Sequence, residues 1–302
     1  MTLQQLKYVI AIADNGSINL AAKALFVSQP SLSGAVDKLE EELGIPIFLR
    51  TNRGITLTPE GSEFLGYARQ VASQYQLLEE RYIEKTVGKK TFSVSMQHYT
   101  FAVKAFVETA KAFGMDEYEL AIHETKTYEV IQHVHNFKSE LGVLYINDFN
   151  KKVIEKLLRE SELEFHELFP CHIFVYLWKN HPLAGKALIT MEELDEYPCI
   201  AFDQGMNNSF YLSEEVLSTY DYKRIIKVDD RATNLNLMVG LNGYTLCSGI
   251  ICEELNGSEY KAIPLDSEEV MHIGYITRKN ALLSPLAQKY IEEMLKYREY
   301  VL

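Results

Sequence analysis

A chain of 302 residues with 47% hydrophobic and 24% charged side chains has room for two or three packed domains and an ordinary globular composition. Its net charge of −12 excludes a generally basic nucleic-acid binder. The excess is uneven: residues 1–88 carry 8 Lys and Arg against 10 Asp and Glu, residues 89–302 carry 22 against 32. No stretch approaches the ~18 apolar residues that cross a bilayer, and no membrane partner is expected. The first residues lack the basic start and apolar core of a secretory signal, so a cytoplasmic protein with Cys171, Cys199, Cys247 and Cys252 reduced is expected.

Leu3, Leu6, Val9, Ile10 and Ala13 recur at helical spacing and predict a supporting helix. Ser17, after the turn former Gly16, is a predicted N-cap. Ile18, Ala21, Ala22 and Leu25 then share one face, and the small Ala21-Ala22 pair admits a close neighbour. Phe26 and Val27 carry the turn, and Ser28 caps the next helix. Gln29 and Pro30 fall in its first turn, where proline loses only a donor that has no helical partner. Leu32, Val36, Leu39 and Leu43 face inward, and Gly44 ends the helix in a left-handed conformation. Residues 48–51 and 54–58 read as two short strands around a turn at Asn52, Arg53 and Gly54. Such a wing brings Arg50 and Arg53 to the sugar-phosphate backbone or the minor groove.

Residues 3–61 resemble the winged DNA-binding domain of LysR-type transcriptional regulators. The resemblance is carried by Leu3-Gln4-Gln5-Leu6, Ser17-Ile18-Asn19-Leu20-Ala21-Ala22, Ser28-Gln29-Pro30-Ser31-Leu32-Ser33, Leu39-Glu40-Glu41-Glu42-Leu43-Gly44 and Phe48-Leu49-Arg50. Arg53-Gly54, Leu57-Thr58 and Glu60-Gly61 complete it. It implies a regulator, not an enzyme, whose partner is double-stranded promoter DNA and for which RNA polymerase is a further candidate partner. Ser28, Gln29, Pro30, Ser31 and Ser33 would enter the major groove, with Arg50 and Arg53 on the wing. Gln29 can pair bidentately with adenine. Gly34 stands where relatives often carry a longer, basic side chain. Pro30, Ser33, Gly34, Asp37 and Glu41 are expected to share the outward face, and the two carboxylates repel phosphate, so only the first turn and a half can dock.

Thr58 caps and Pro59 opens a long helix expected to reach Val87. Phe64, Ala68, Val71, Tyr75, Leu78 and Tyr82 recur at alternating steps of four and three, a heptad seam that predicts a homodimer. Pairing would place two readers one helical turn of DNA, or a multiple, apart. Further assembly to a homotetramer is expected. Gly88-Lys89-Lys90 reads as a hinge. The expected division is a winged helix-turn-helix domain at 1–58, a linker helix and hinge at 59–90, and an effector-binding domain at 91–302.

From Thr91 the period changes to two. Strands are predicted at 92–96, 120–123, 141–146, 165–169, 173–178, 199–202, 225–228, 244–247 and 271–276. Helices are predicted at 101–113, 128–137, 210–220, 232–241 and from Pro285, with a capping box at Thr190 and Glu193 opening a short one. The alternation predicts a parallel α/β sheet. With His181-Pro182-Leu183-Ala184, it resembles the LysR effector domain. That implies two periplasmic-binding-protein-like α/β subdomains joined by two crossovers, one at 91–163 and 267–302, the other at 164–266.

Ligands in such folds sit at strand ends and helix N-termini between subdomains. That picks out Gln97, His98, Tyr99 and Thr100 after the first strand, Glu124 to Thr127, Glu124 and Thr127 foremost, after the second, and Tyr145 and Asn147 at the third. Phe202, Asp203 and Asn207 lie opposite. Each alone also reads as a capping or loop residue; as a set they form a candidate effector site. The resemblance implies a small metabolite, often anionic, yet no arginine follows the first two strands and Glu124 and Asp203 are acidic. His133 and His135 lie about 200° apart on a helix and cannot chelate one metal, and neither a metal nor a cofactor is expected. Some LysR-type relatives sense oxidants through a cysteine pair, which leaves Cys247 and Cys252 as an alternative, although the apolar strand around Cys247 favours an inert buried thiol. A solute-binding protein without DNA function is a second alternative, opposed by the amino-terminal ninety residues. No G-x-S-x-G, Walker loop or His-Glu-x-x-His motif supports an enzyme.

Overall fold

The computed structural model describes residues 1–51, 54–82, 90–114, 117–207 and 209–300. The chain divides into two units, Met1–Gly88 and Lys89–Leu302. In the first, α1 (Leu3–Asn15) opens on a capping box between Thr2 and Gln5 and ends at Gly16 in the left-handed region. Ser17 caps α2 (Ile18–Ala24), and Ser28 caps α3 (Gln29–Leu43), which ends at left-handed Gly44. Val9 and Ile12 of α1, Ala21 and Ala22 of α2, and Leu32, Val36 and Leu39 of α3 bury against one another with Ile47 and Phe48. The wing strands β1 (Phe48–Thr51) and β2 (Gly54–Leu57) pair antiparallel, Phe48 opposite Leu57. Glu40 on α3 anchors them, its Oε1 accepting the N–H groups of Ile47 (2.6 Å) and Phe48 (2.9 Å).

Thr58 caps α4 (Pro59–Tyr82): its hydroxyl donates to the Pro46 carbonyl (2.6 Å) and accepts the Gly61 N–H (2.8 Å). The expected heptad seam on α4 divides. Phe64 and Ala68 pack into the core of their own unit, where α4 meets α1. Val71, Tyr75 and Leu78 stay exposed, Val71 at 50% and Leu78 at 55%. The expected extension to Val87 and the Gly88-Lys89 part of the hinge lie outside the described residues.

The second unit begins with a five-stranded sheet in the order β4 (Tyr118–Glu124), β3 (Lys90–Met96), β5 (Leu141–Ile146), β12 (Val270–Arg278), β6 (Leu163–His172). β3 runs parallel to both neighbours, but β12 runs antiparallel to β5 and β6. The sheet is therefore mixed, not purely parallel: β6 leaves this half of the unit, β12 returns to it, and the two lie side by side in opposite directions. β6 stays paired with β12 through His172, so the outgoing crossover falls after His172 and not at the expected boundary of 163/164. α5 (Thr100–Ala112) and α11 (Pro285–Leu295) pack with β3 and β12 in one core. α6 (Thr127–His135) and α7 (Lys151–Glu160) share another. No helix was expected at α7, although Val153, Ile154, Leu157 and Leu158 recur at helical spacing; Ile154 and Leu158 are buried.

In the other half, β7 (Phe174–Trp178) is the centre of a three-stranded antiparallel sheet between β10 (Thr245–Cys247) and β11 (Tyr260–Pro264). β8 (Cys199–Phe202) pairs parallel with β9 (Ile225–Val228) and bridges to Tyr244. The short α8 (Met191–Leu194) starts at the Thr190–Glu193 capping box. α9 (Arg231–Leu241) is capped by Asp230, and α10 (Glu253–Asn256) is a single turn. The helix expected at 210–220 does not form; a 3-10 turn covers only Phe210–Leu212. The Tyr145 hydroxyl donates to the carbonyls of Ser213 (3.1 Å) and Glu215 (3.4 Å), which a helix would need, and Leu217 takes a positive φ of 57°. Among the described residues no helix is long and apolar enough to cross a membrane.

Candidate functional site

The N-terminus of α3 exposes Ser28, Gln29, Pro30 and Ser31, with no acidic residue in its first turn. The Ser28 hydroxyl accepts the Ser31 N–H (3.2 Å) and lies 2.7 Å from the Ser31 hydroxyl. This helix end, with its N–H groups and positive dipole, suits a phosphate or a base edge. Ser33, expected to face outward, is 8% exposed and donates to Asp37 Oδ2 (3.4 Å). It lies at the edge of the arc that buries Leu32 and Val36, which narrows the docking face to the first turn. Arg50 is placed on β1, and Arg53 lies outside the described residues. Phe26, which sequence reasoning gave only a turn role, is 96% exposed beside this helix end, with a φ of 54°.

A cavity of about 80 Å³ opens in the second unit, between the β3–α5 junction on one side and β8, α9 and β10 on the other. His98, Thr100 and Phe202, all expected site residues, line it. The His98 and Phe202 rings stack, with centroids 3.7 Å apart. Gln97, Thr127 and Tyr145 do not line it. They form a buried network behind the wall, in which the Gln97 amide donates to Thr127 Oγ1 (2.6 Å) and its oxygen accepts from the Tyr99 hydroxyl (2.7 Å) and the Tyr145 N–H (3.2 Å). The Thr127 N–H in turn donates to Gln204 Oε1 (3.0 Å), tying the two halves together. Polar side chains that sit at strand ends are consumed here by backbone groups that the fold leaves over. Asn207 is exposed on a 3-10 turn and does not line the cavity. Glu124 reaches the site only through its ion pair with Arg231, whose guanidinium also donates to Thr100 Oγ1.

Arg231, Glu214, Glu215, Asn234, Thr245 and Asn256 line the cavity without having been singled out. Arg231 opens a helix after a strand, so the rule applied to Thr100 could have found it. The two glutamates were hidden inside the helix expected at 210–220. Glu214 Oε2 accepts the His98 backbone N–H (2.9 Å) and lies 2.8 Å from His98 Nδ1, while Oε1 accepts from Gln204 (3.2 Å). Glu215 Oε1 accepts the Phe202 N–H (2.9 Å).

Burial, then the neighbouring Glu214 charge, pushes the Glu215 carboxyl up to about 8. The native state therefore keeps a proton that the unfolded chain sheds near the ordinary glutamate value of about 4.3. Stability from this group is complete below that value and is lost as pH rises toward 8. Glu215→Gln should accordingly raise the melting temperature more at about pH 9 than at about pH 5. Equal shifts in differential scanning fluorimetry at the two pH values would contradict a protonated Glu215.

All four cysteines are unpaired. Burial pushes the Cys171 and Cys247 thiols up to about 12 and raises Cys252, away from the reactive thiolate. His133 lies 2.7 Å from the Ser95 hydroxyl and His135 lies 3.0 Å from the Ser161 carbonyl, so the two rings serve different partners. No metal-holding group of three or more His, Cys, Asp or Glu occurs among the described residues.

Residues 3–62 match the family described as bacterial regulatory helix-turn-helix protein, lysR family, and residues 115–298 match the LysR substrate binding domain. The chain is 27% identical over 282 residues to the uncharacterized HTH-type transcriptional regulator YvbU of Bacillus subtilis, covering 88% of this chain and 91% of that one. It is 25% identical over 222 residues to the DNA-binding transcriptional dual regulator OxyR of Escherichia coli, covering 68% and 65%. Full-length OxyR from Pseudomonas aeruginosa shares the fold with a TM-score of 0.68 at 19% identity, over 100% of this chain and 95% of that one. Full-length CbnR complexed with its target DNA shares it with a TM-score of 0.56 at 19% identity, over 98% and 99%. The two family matches, in the same chain order as the two folded units, place this protein in the LysR family: it is a DNA-binding transcriptional regulator with an amino-terminal helix-turn-helix and a carboxy-terminal effector-binding domain.

Proposed function

We propose that the protein works as a homodimer that assembles further to a tetramer, and that each reader inserts the first turn of α3 into the major groove of promoter DNA. Ser28, Gln29, Pro30 and Ser31 make the groove contacts, and Arg50 and Arg53 hold the backbone. The observation that carries this reading is the exposed, uncharged first turn of α3, capped by Ser28 and held on a rigid apolar core. A small molecule in the cavity bounded by His98, Thr100, Phe202 and Arg231 shifts the population between arrangements of the two halves and so changes how the readers meet DNA. RNA polymerase then meets the bound regulator at the promoter. The protein acts by binding, without catalysis, in the compartment that holds the DNA. The functional division runs 1–58 for the reader, 59–90 for the linker and 91–302 for the effector domain. A thiol switch at Cys247 and Cys252 is less well supported, since burial raises both thiols.

The exposed seam of Val71, Tyr75 and Leu78 is the proposed dimer contact. Footprinting on the region upstream of the protein's own gene should reveal two protected half-sites about one helical turn, or a multiple, apart. The double variant Val71→Glu/Leu78→Glu should sediment as a monomer and bind that region at least roughly tenfold more weakly, because each lone reader makes half the contacts. A native protein that is monomeric and leaves every upstream fragment unprotected would refute the reading.

A further inference from the structure

The cavity holds an unbalanced set of polar groups. Among its described lining residues Arg231 is the single Lys or Arg, and its guanidinium is already engaged by Glu124 and Thr100. The buried carboxyl groups of Glu214 and Glu215 line the same space. Two further buried oxygens in the lining, Asn234 Oδ1 and Thr245 Oγ1, find no hydrogen-bond partner. A carbonyl oxygen can only accept, so Asn234 is satisfied only when an occupant brings a donor. The remaining wall combines His98, Ser248 and Asn256 with the apolar Leu235, Met238, Ile251 and Met271, and it includes the rings of Tyr176 and Phe202; the Asn256 amide is engaged by Thr100 and Tyr176, and His98 by Glu214.

We propose that this cavity takes a small primary amine, bound as the ammonium on a short apolar or single-ring body. Its N–H groups donate to Asn234 Oδ1 and Thr245 Oγ1, Glu214 in the same lining balances its charge, and the Tyr176 and Phe202 rings of the wall favour the cation. A carboxylate would add a negative charge to a low-dielectric space where the arginine is already neutralised, leaving Asn234 Oδ1 unsatisfied. The inference rests on the reading of this cavity as the effector site, and it sets the ligand class against the anionic metabolites that the family resemblance implies.

The test is calorimetric titration of the full-length protein with methylamine, n-butylamine and phenethylamine, each against the carboxylate and the alcohol of matched length. At least one amine should bind roughly tenfold or more tightly than its matched acid and alcohol, the size expected for one charge-assisted hydrogen bond. Thr245→Val, which keeps the shape and removes an oxygen without a partner, should leave the melting temperature unchanged or higher and weaken that amine by a similar factor. Asn234→Leu should weaken it likewise. Tighter binding of an acid, lost on Arg231→Gln, would overturn the amine inference and leave the effector site standing. Amine binding indifferent to both Thr245→Val and Asn234→Leu would overturn it too. Binding by no probe of any class would overturn the inference and the effector-site reading together.

Discussion

Gly61→Ala is expected to destabilise the reader unit by about 3 kcal/mol, at the upper end of overpacking costs, and to abolish DNA binding with it. A Cβ at Gly61 would lie 2.0 Å from the Ile47 carbonyl oxygen, 2.8 Å from its carbonyl carbon and 2.9 Å from its Cα. All three are backbone atoms, so no rotamer relieves the clash. The same Ile47 carbonyl accepts the Thr58 N–H (3.0 Å), and the Gly61 N–H donates to the Thr58 cap. Moving α4 away would break that cap and shift the wing strand that begins at Phe48. Gly66, on the same helix with nothing within 4 Å, is the control. Gly66→Ala should be neutral or stabilising by up to about 1 kcal/mol. Hydrogen exchange of amides in α1 to α4 isolates this unit from the rest of the chain. Equal protection in the two variants would show that the approach at Ile47 is not what holds α4.

Gln29→Ala is expected to relax base preference by about 1–3 kcal/mol, the worth of one bidentate base contact. Gln29 is exposed in the first turn of α3, between the Ser28 cap and Pro30, on a helix whose other face is locked by Leu32, Val36 and Leu39. It carries no charge, so its removal should leave the salt dependence of binding unchanged while the gap between a specific and a scrambled half-site closes. Ser33→Ala supplies the contrast: its hydroxyl is turned to Asp37 and buried, and its loss should leave that gap intact. Competition binding at several salt concentrations reads both quantities. A Gln29→Ala protein that still discriminates like the native one would remove Gln29 from the reading surface.

The local signals in this chain were decided within a few residues. Ser17 and Ser28 accept backbone N–H groups three residues on, the Thr190 N–H donates to the Glu193 carboxylate, Gly16 and Gly44 take left-handed conformations, and apolar residues recur at the period of the element they build. A helix cap or a hairpin turn depends on neighbours along the chain, so the reader helices, the wing and most strands were legible without a fold. What the tertiary structure alone decided involves partners far apart in sequence. Glu214 meets His98 across 116 positions and Arg231 meets Glu124 across 107, so neither the acidic lining nor the occupied arginine could be read locally. Tyr145 takes the carbonyls that a helix at 210–220 would have used. Phe64 and Ala68 are taken up inside their own unit, where α4 meets α1, although a heptad pattern by itself assigns them to a partner. A periodic apolar stripe states only that a face must be buried. Which surface buries it, and which polar groups are left facing a cavity, is settled when distant segments compete for the same space and the same hydrogen bonds.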